Sequence, residues 1–255
     1  DAYALATGRL DDVADDRLRR IATWAQASGN RDLAAEHVLD LPPEQAIDLA
    51  AVAVTFHYYN RMVNVFVADS VFPPVMPASA RGQALRVFGR LMRPAAGQRF
   101  RPGDSLELLT PAPLPPDLAW LRQSRAAFSA AEAFARAVGA VDAAGRRSVP
   151  PAVRELVLAH LASWTGAPTG LSRAWVEDAI DTLPPADRSA GRLALLTAVA
   201  SYQVDDETVE QFRRERPADR PLIELVSWSA LSAARRIGTW LAGTGAPRAG
   251  DQPAA

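Results

Sequence analysis

The sequence has no cysteine, so these 255 residues hold no disulfide framework, zinc knuckle, thiolate nucleophile or redox pair. Lysine is absent too, and all 28 basic residues are arginine. Together with 51 alanines, that bias points to a GC-rich coding sequence more than to a function. Against the 28 cations stand 29 acidic residues, a net charge of −1. This balance leaves no excess of positive charge to grip nucleic acid or an anionic membrane, and neither is an expected partner. No uncharged apolar run reaches the roughly 18 residues of a membrane span. The nearest stretch, 46–67, contains Asp48, His57, Asn60 and Arg61 and reads as a buried helix. The lack of cysteine leaves the compartment open, with a cytoplasmic location as the working expectation.

Also missing are a glycine-rich phosphate loop, a serine nucleophile elbow and a helical His-Glu-x-x-His. The three histidines, His37, His57 and His160, have no metal-ligand spacing among themselves. No metal and no cofactor is expected.

What is abundant is helix-forming alanine, recurring with leucine, arginine and glutamate, while β-type alternation of branched and aromatic residues is almost absent. The expected fold class is all-α. Apolar spacing predicts a helix over Asp11–Gly29 behind two acidic pairs, a short one over Arg31–Leu39, and a long one opened by Leu41-Pro42-Pro43 and running to about Asp69. Apolar side chains occupy most of that long helix's circumference, as expected of a central helix surrounded by others. A helix over Ser79–Arg93 follows, then a proline-rich connector over 94–116. Further helices are expected over Asp117 to about Ala144, Ala152–Trp164, Leu171–Thr182, Pro184 to about Val204, Asp205–Arg214 and Pro221–Ala242. The domain reading is a first helical unit over 1–93, the connector over 94–116, a second unit over 117–243 and a disordered tail over 244–255. Because the first residue is Asp and the opening DAYALATG has helical character, the chain is expected to start inside a domain.

The two halves resemble each other. Asp16-Arg17 leads into Thr23-Trp24-Ala25, and Ile47-Asp48-Leu49 into Asn60-Arg61. Asp187-Arg188 leads into Leu196-Thr197-Ala198, and Ile223-Glu224-Leu225 into Arg235-Arg236. The offset is 171 to 176 residues throughout. In this register residues 1–10 match 174–183, and the first repeat lacks a counterpart of 149–173, which is expected to precede Asp1.

The second repeat, VRELVLAHLASWTGAPTGLSRAWVEDAIDTL, then DRSAGRLALLTAVASYQVDDETVEQFR and DRPLIELVSWSALSAARRIGTWL, resembles the alkylhydroperoxidase D-like family, which includes carboxymuconolactone decarboxylases. The first repeat's LPPEQAIDLAAVAVTFHYYNRMVNVF resembles that family's last core helix, with its aromatic-Asn-Arg. The resemblance spans 1–69 and 149–242 and implies two helical repeats about a pseudo-twofold axis. It also implies a homo-oligomer, peroxide reduction, and a small peroxide or carboxylated substrate. Its peroxidases use a Glu on one helix, a Cys-x-x-Cys at the start of the next and a His one turn on. The thiolate attacks the peroxide, the second thiol resolves the sulfenic acid, and Glu and His move protons. Carried onto this sequence, the Glu falls on Glu155, the thiols on Ala167 and Gly170, and the His on Arg173 or Ala174. The second repeat therefore implies no thiol chemistry, Glu155 is a degenerate relay position, and the cysteine-bearing copy is expected upstream of Asp1. Two other readings stay open: a non-catalytic helical scaffold or binding module, and a cysteine-independent lyase in which His57, Arg61 and Glu155 converge.

The densest polar-aromatic cluster is His57, Tyr58, Tyr59, Asn60 and Arg61. His57 and Arg61, four residues apart, share a helical face. Either they line a pocket for an acidic substrate, or Asn60 and Arg61 satisfy backbone and carboxylate partners between helices in a buried core. His160 and Trp164 join the candidate pocket, although a packed histidine and packing tryptophans are the plainer reading, as for Trp175, Trp228 and Trp240. Arg213, Arg214, Arg235 and Arg236 are expected in ion pairs.

Overall fold

A computed structural model describes residues 4–5, 8–67, 103–124 and 130–244. Every regular element among them is helical, with no strand. The expected helix over Ser79–Arg93, the first half of the connector and the tail lie outside the described residues.

Helix starts follow local chemistry. Asp11 and Asp12 belong to a separate 3-10 turn, Leu10–Asp12, and extended residues follow it before Asp15. The Asp15 carboxylate accepts from the backbone N–H groups of Arg17 and Leu18 at 2.8 and 3.1 Å. This cap starts α1 at Asp16–Ala27, later than the acidic pairs suggest, because only Asp15 reaches the free donors of the first turn. Asn30 caps α2, Arg31–Glu36, in the same way. Prolines open α3, Pro43–Phe66, and α5, Pro151–Ser163, where a missing N–H costs nothing.

The expected helix from Asp117 is replaced by a 3-10 helix, Pro116–Gln123. Among the described residues regular α-helix next appears in α4, Ala130–Ser148. Pro115 and Pro116 start the turn, and Leu118 and Leu121, three apart and buried, suit the three-residue period of a 3-10 helix. Helix α6 is Ala174–Ile180 and α7 is Arg188–Val199. Asp205 caps α8, Asp206–Glu215, and α9 is Asp219–Thr244.

The central helix is α9, not α3. Leu225, Val226, Ala230, Ala233, Ala234 and Ile237 of α9 are fully buried, and α9 packs against α3, α4, α5 and α7. Gly145 of α4 meets it so closely that a Cβ there would fall 2.2 Å from the Trp228 ring. By contrast, α3 turns Ala50, Ala53 and Val54 inward and leaves Val52, Phe56, Tyr59, Val63 and Phe66 exposed. A near-continuous apolar circumference does not specify which side is covered. The small residues win the inner face because they let the helix axes approach.

Three clusters of buried side chains result among the described residues, one of them joining Ala51, Leu118, Leu121, Val138 and Leu231. A second joins Val153, Val157 and Leu161 of α5 to α7 and α9. The third joins Trp24, Ala34, Ala50 and Ala53 of the first half to Ile237, Trp240 and Leu241 of α9. The polar groups described next lie where the second and third meet.

Candidate functional site

Three side chains on one face of α3, His57, Arg61 and Asn64, reach across to other elements, as spacings of four and three on a helix allow. His57 Nε2 lies 2.8 Å from Ser28 Oγ just beyond α1. Arg61 Nε donates to the carbonyl of Ala198 at 2.9 Å, and Asn64 donates to Ser201 Oγ at 2.9 Å.

The Ser28 hydroxyl has one proton, which it gives to the Ala25 carbonyl at 2.6 Å. Its oxygen must therefore accept from His57 Nε2–H, which leaves the Nδ1 lone pair as the free acceptor of the ring. Burial, and secondarily the charge of Arg61, push the His57 pKa down to about 4. The ring is neutral at pH 7.

Arg61 is buried, and burial lowers its pKa to about 10, so it stays cationic at pH 7. Its other bond runs from a terminal N–H to the His57 carbonyl at 2.9 Å, and the guanidinium carbon sits 5.7 Å from the centre of the Trp164 ring. Among the described residues no carboxylate pairs with it. Its compensation is the C-terminal end of α7, where carbonyls carry partial negative charge, together with the face of the indole.

Trp164 also packs against Trp240, with ring centres 5.8 Å apart. Its Nε1–H is buried without an acceptor, and so is the Thr197 hydroxyl beside Ala198. Such groups cost free energy unless something meets them. Below the junction the chain makes a close contact: Arg31 N–H donates to the Thr165 carbonyl at 2.8 Å. Gly166, with φ of +82°, lies so near that a Cβ would fall 1.9 Å from the Gly29 carbonyl oxygen.

The candidate pocket of the sequence reading therefore divides. His57, Arg61 and Trp164 come together. Tyr58 turns away, about 100° round the helix, and pairs with Ser227 at 2.9 Å. Asn60 is exposed. His160 stacks obliquely on Trp175 at 5.3 Å, with its pKa lowered by burial. Glu155 is exposed in α5, nine residues or about 13 Å of helix before Trp164, and it does not join His57 and Arg61. The convergence on which a lyase would depend is not formed.

Ala167 and Gly170 are both exposed and lie in the loop between α5 and α6. Neither is in the first turn of α6, which opens at Ala174. Gly170 has φ of +75°, and its carbonyl accepts from Gln203 at 2.7 Å. Arg173 is held by Asp205 at 2.8 Å. Sequence reasoning missed Ser28, Asn64 and Ser201. The repeat register sets Ser28 against Ser201, and that correspondence was the available signal. Among the described residues no three of His, Asp and Glu gather as a metal site.

No family model and no solved structure matches the chain. Over 242 residues it is 34% identical to an alkyl hydroperoxide reductase of Mycobacterium tuberculosis, a match covering 94% of this chain and 67% of that protein.

Proposed function

The chain belongs to the alkylhydroperoxidase D-like family, and from that premise we propose that it takes part in the reduction of organic hydroperoxides. The observation that carries this reading is the identity with an alkyl hydroperoxide reductase along nearly the whole chain. The chemistry needs two thiols. A thiolate attacks the peroxide, the O–O bond breaks, the alcohol leaves, and the sulfenic acid condenses with a second thiol to give disulfide and water. This chain has no cysteine, so in this reading the thiols come from outside these 255 residues.

The role assigned to the described residues is to hold and polarise. The neutral His57 has a free Nδ1 acceptor, and Trp164 has an unmet Nε1–H donor. The two groups flank the Arg61 cation. A hydroperoxide offers one O–H to donate and lone pairs to accept, which is the complement of that set.

The two-repeat organisation is part of the proposal. It is supported by the order of elements: α1, α2 and α3, starting at Asp16, Arg31 and Pro43, recur as α7, α8 and α9, starting at Arg188, Asp206 and Asp219. The exposed apolar stripe of α3, with Phe56 at 62% exposure, supports the homo-oligomer that the resemblance implies.

The test is thiol titration and cumene hydroperoxide consumption by the intact gene product beside the 255-residue chain. The expected result is consumption by the former, with loss of two thiols per active site, and none by the latter. Absence of thiols from the intact product would overturn the reading and favour the second one, a cysteine-free binding scaffold. That alternative rests on the exposed loop positions Ala167 and Gly170.

A further inference from the structure

A cavity of about 430 Å³ opens between α4, α5 and α9, within the range of small-molecule sites. Four arginines line it: Arg146 from the last turn of α4, Arg154 from the first turn of α5, and Arg235 and Arg236 from α9. Two aspartates, Asp117 and Asp142, also line it, and Arg235 engages both. It grips Asp117 with two bonds at 2.8 and 2.7 Å and reaches Asp142 at 3.3 Å.

The other three cations find no carboxylate among the described residues, contrary to the expectation of ion pairing for Arg236. Arg236 spends its donors on the carbonyls of Ala162 and Trp164 at 2.9 and 3.3 Å. Among the described residues the side chains of Arg146 and Arg154 make no hydrogen bond or ion pair, and Arg154 Nε is buried with no acceptor. Several other arginines are matched: Arg192 with Glu177, Arg147 with Glu224, Arg173 with Asp205. Four cations against two anions leave the cavity with two positive charges in excess. The rest of its wall is mostly apolar, with Leu158, Leu161, Ala162 and the Trp228 ring beside the hydroxyls of Ser232 and Thr239.

We propose that this cavity is a binding site for a small organic carboxylate with an apolar body, its carboxylate held by Arg146 and Arg154 and its body laid on Leu158, Leu161 and Trp228. A guanidinium fork suits a carboxylate because two parallel N–H bonds meet its two oxygens. A buried donor without an acceptor is costly and is relieved by an anionic ligand. The apolar floor selects against a small hydrated anion, which would leave that surface uncovered. The site is independent of the peroxide reading and shares none of His57, Arg61 or Trp164's side chain.

The test is isothermal titration of the full chain with decanoate and with decanamide, its neutral counterpart. Decanoate is expected to bind at least about tenfold more tightly than decanamide, and Arg154→Gln to weaken decanoate about tenfold while leaving decanamide unchanged. Leu158 is 54% exposed, so Leu158→Glu leaves the fold intact, as circular dichroism would verify. It puts a negative charge at the wall and should abolish decanoate binding. Equal affinity for the two ligands, no binding of decanoate, or undiminished binding by Leu158→Glu would each overturn the proposal. These outcomes decide it even if Arg154→Gln fails to fold.

Discussion

Arg61 and Ala198 are 137 residues apart in sequence and 2.9 Å apart in space, joined by the Arg61 Nε–H and the Ala198 carbonyl. One buried cation thus closes the final turn of α7 from α3, and ties the first half of the chain to the second. Removing it takes the side-chain donor from the Ala198 carbonyl at the end of α7. Arg61→Met is expected to lower stability by about 2–4 kcal/mol, since hydrogen bonds to charged groups and the groups they abandon carry energies of that order. Arg61→Lys should not restore the loss, because a single ammonium cannot reproduce the two directed bonds to Ala198 and His57. Urea unfolding of the three proteins measures both effects, and a lysine variant as stable as the original would count against the capping role.

His57 sets a pH dependence whose sign follows from its environment. Its pKa falls from 6.5 when unfolded to about 4 when folded. Between those values the unfolded chain takes up a proton that the folded chain refuses. Stability conferred by the neutral ring is therefore complete above about pH 7 and drains away as pH falls from 6.5 towards 4, by about 3 kcal/mol in all. His160 is shifted in the same direction, so the contribution of His57 is isolated by difference. His57→Gln keeps a donor for Ser28 and should flatten the slope of stability against pH in that window. Unchanged slopes in denaturant melts from pH 7 to 4 would refute the assignment.

Restoring cysteines at the matched loop positions should not restore peroxidase chemistry. In Ala167→Cys/Gly170→Cys the thiols would sit on an exposed loop ahead of α6, without the field of a helix first turn to lower their pKa. The second would also occupy a backbone at φ of +75°, which costs a non-glycine residue roughly 1–2 kcal/mol. Thiol titration with a chromogenic disulfide should give pKa values near the ordinary value of about 8.5, with no acceleration of cumene hydroperoxide consumption over free thiol. A depressed pKa and rapid turnover would mean that the loop retains a thiol site.

Much of the architecture was legible because it depends on neighbours in sequence. Pro43 and Pro151 open helices wherever they stand in such a pattern, and Asp205 caps α8 through the backbone N–H of Thr208, three residues on. The alanine-rich helical composition led to an all-α fold on the same grounds. Errors arose where two local signals competed, as at Asp11 to Asp16, where several acids offered a cap and only Asp15 had the geometry.

The site was legible only in part. His57 and Arg61 were paired through their four-residue spacing, and both side chains reach from one face of α3 to other elements. Tyr58 and Asn60 were grouped with them by adjacency in sequence, yet neighbouring positions on a helix point about 100° apart. Glu155 was matched to a family motif by register and read as a degenerate relay position, a structural or solvated helix residue, and α5 presents it to solvent.

The sequence by itself determined the helical class, most helix starts and the face shared by His57 and Arg61, since propensity, capping and helical period are short-range properties. Only the tertiary structure decided that α9 and not α3 forms the centre, and that Arg61 closes α7 while Arg146 and Arg154 go without carboxylates among the described residues. Those outcomes depend on which apolar faces exclude water from each other and on which donors then meet acceptors far along the chain. Close packing and desolvation set them, once the elements assemble.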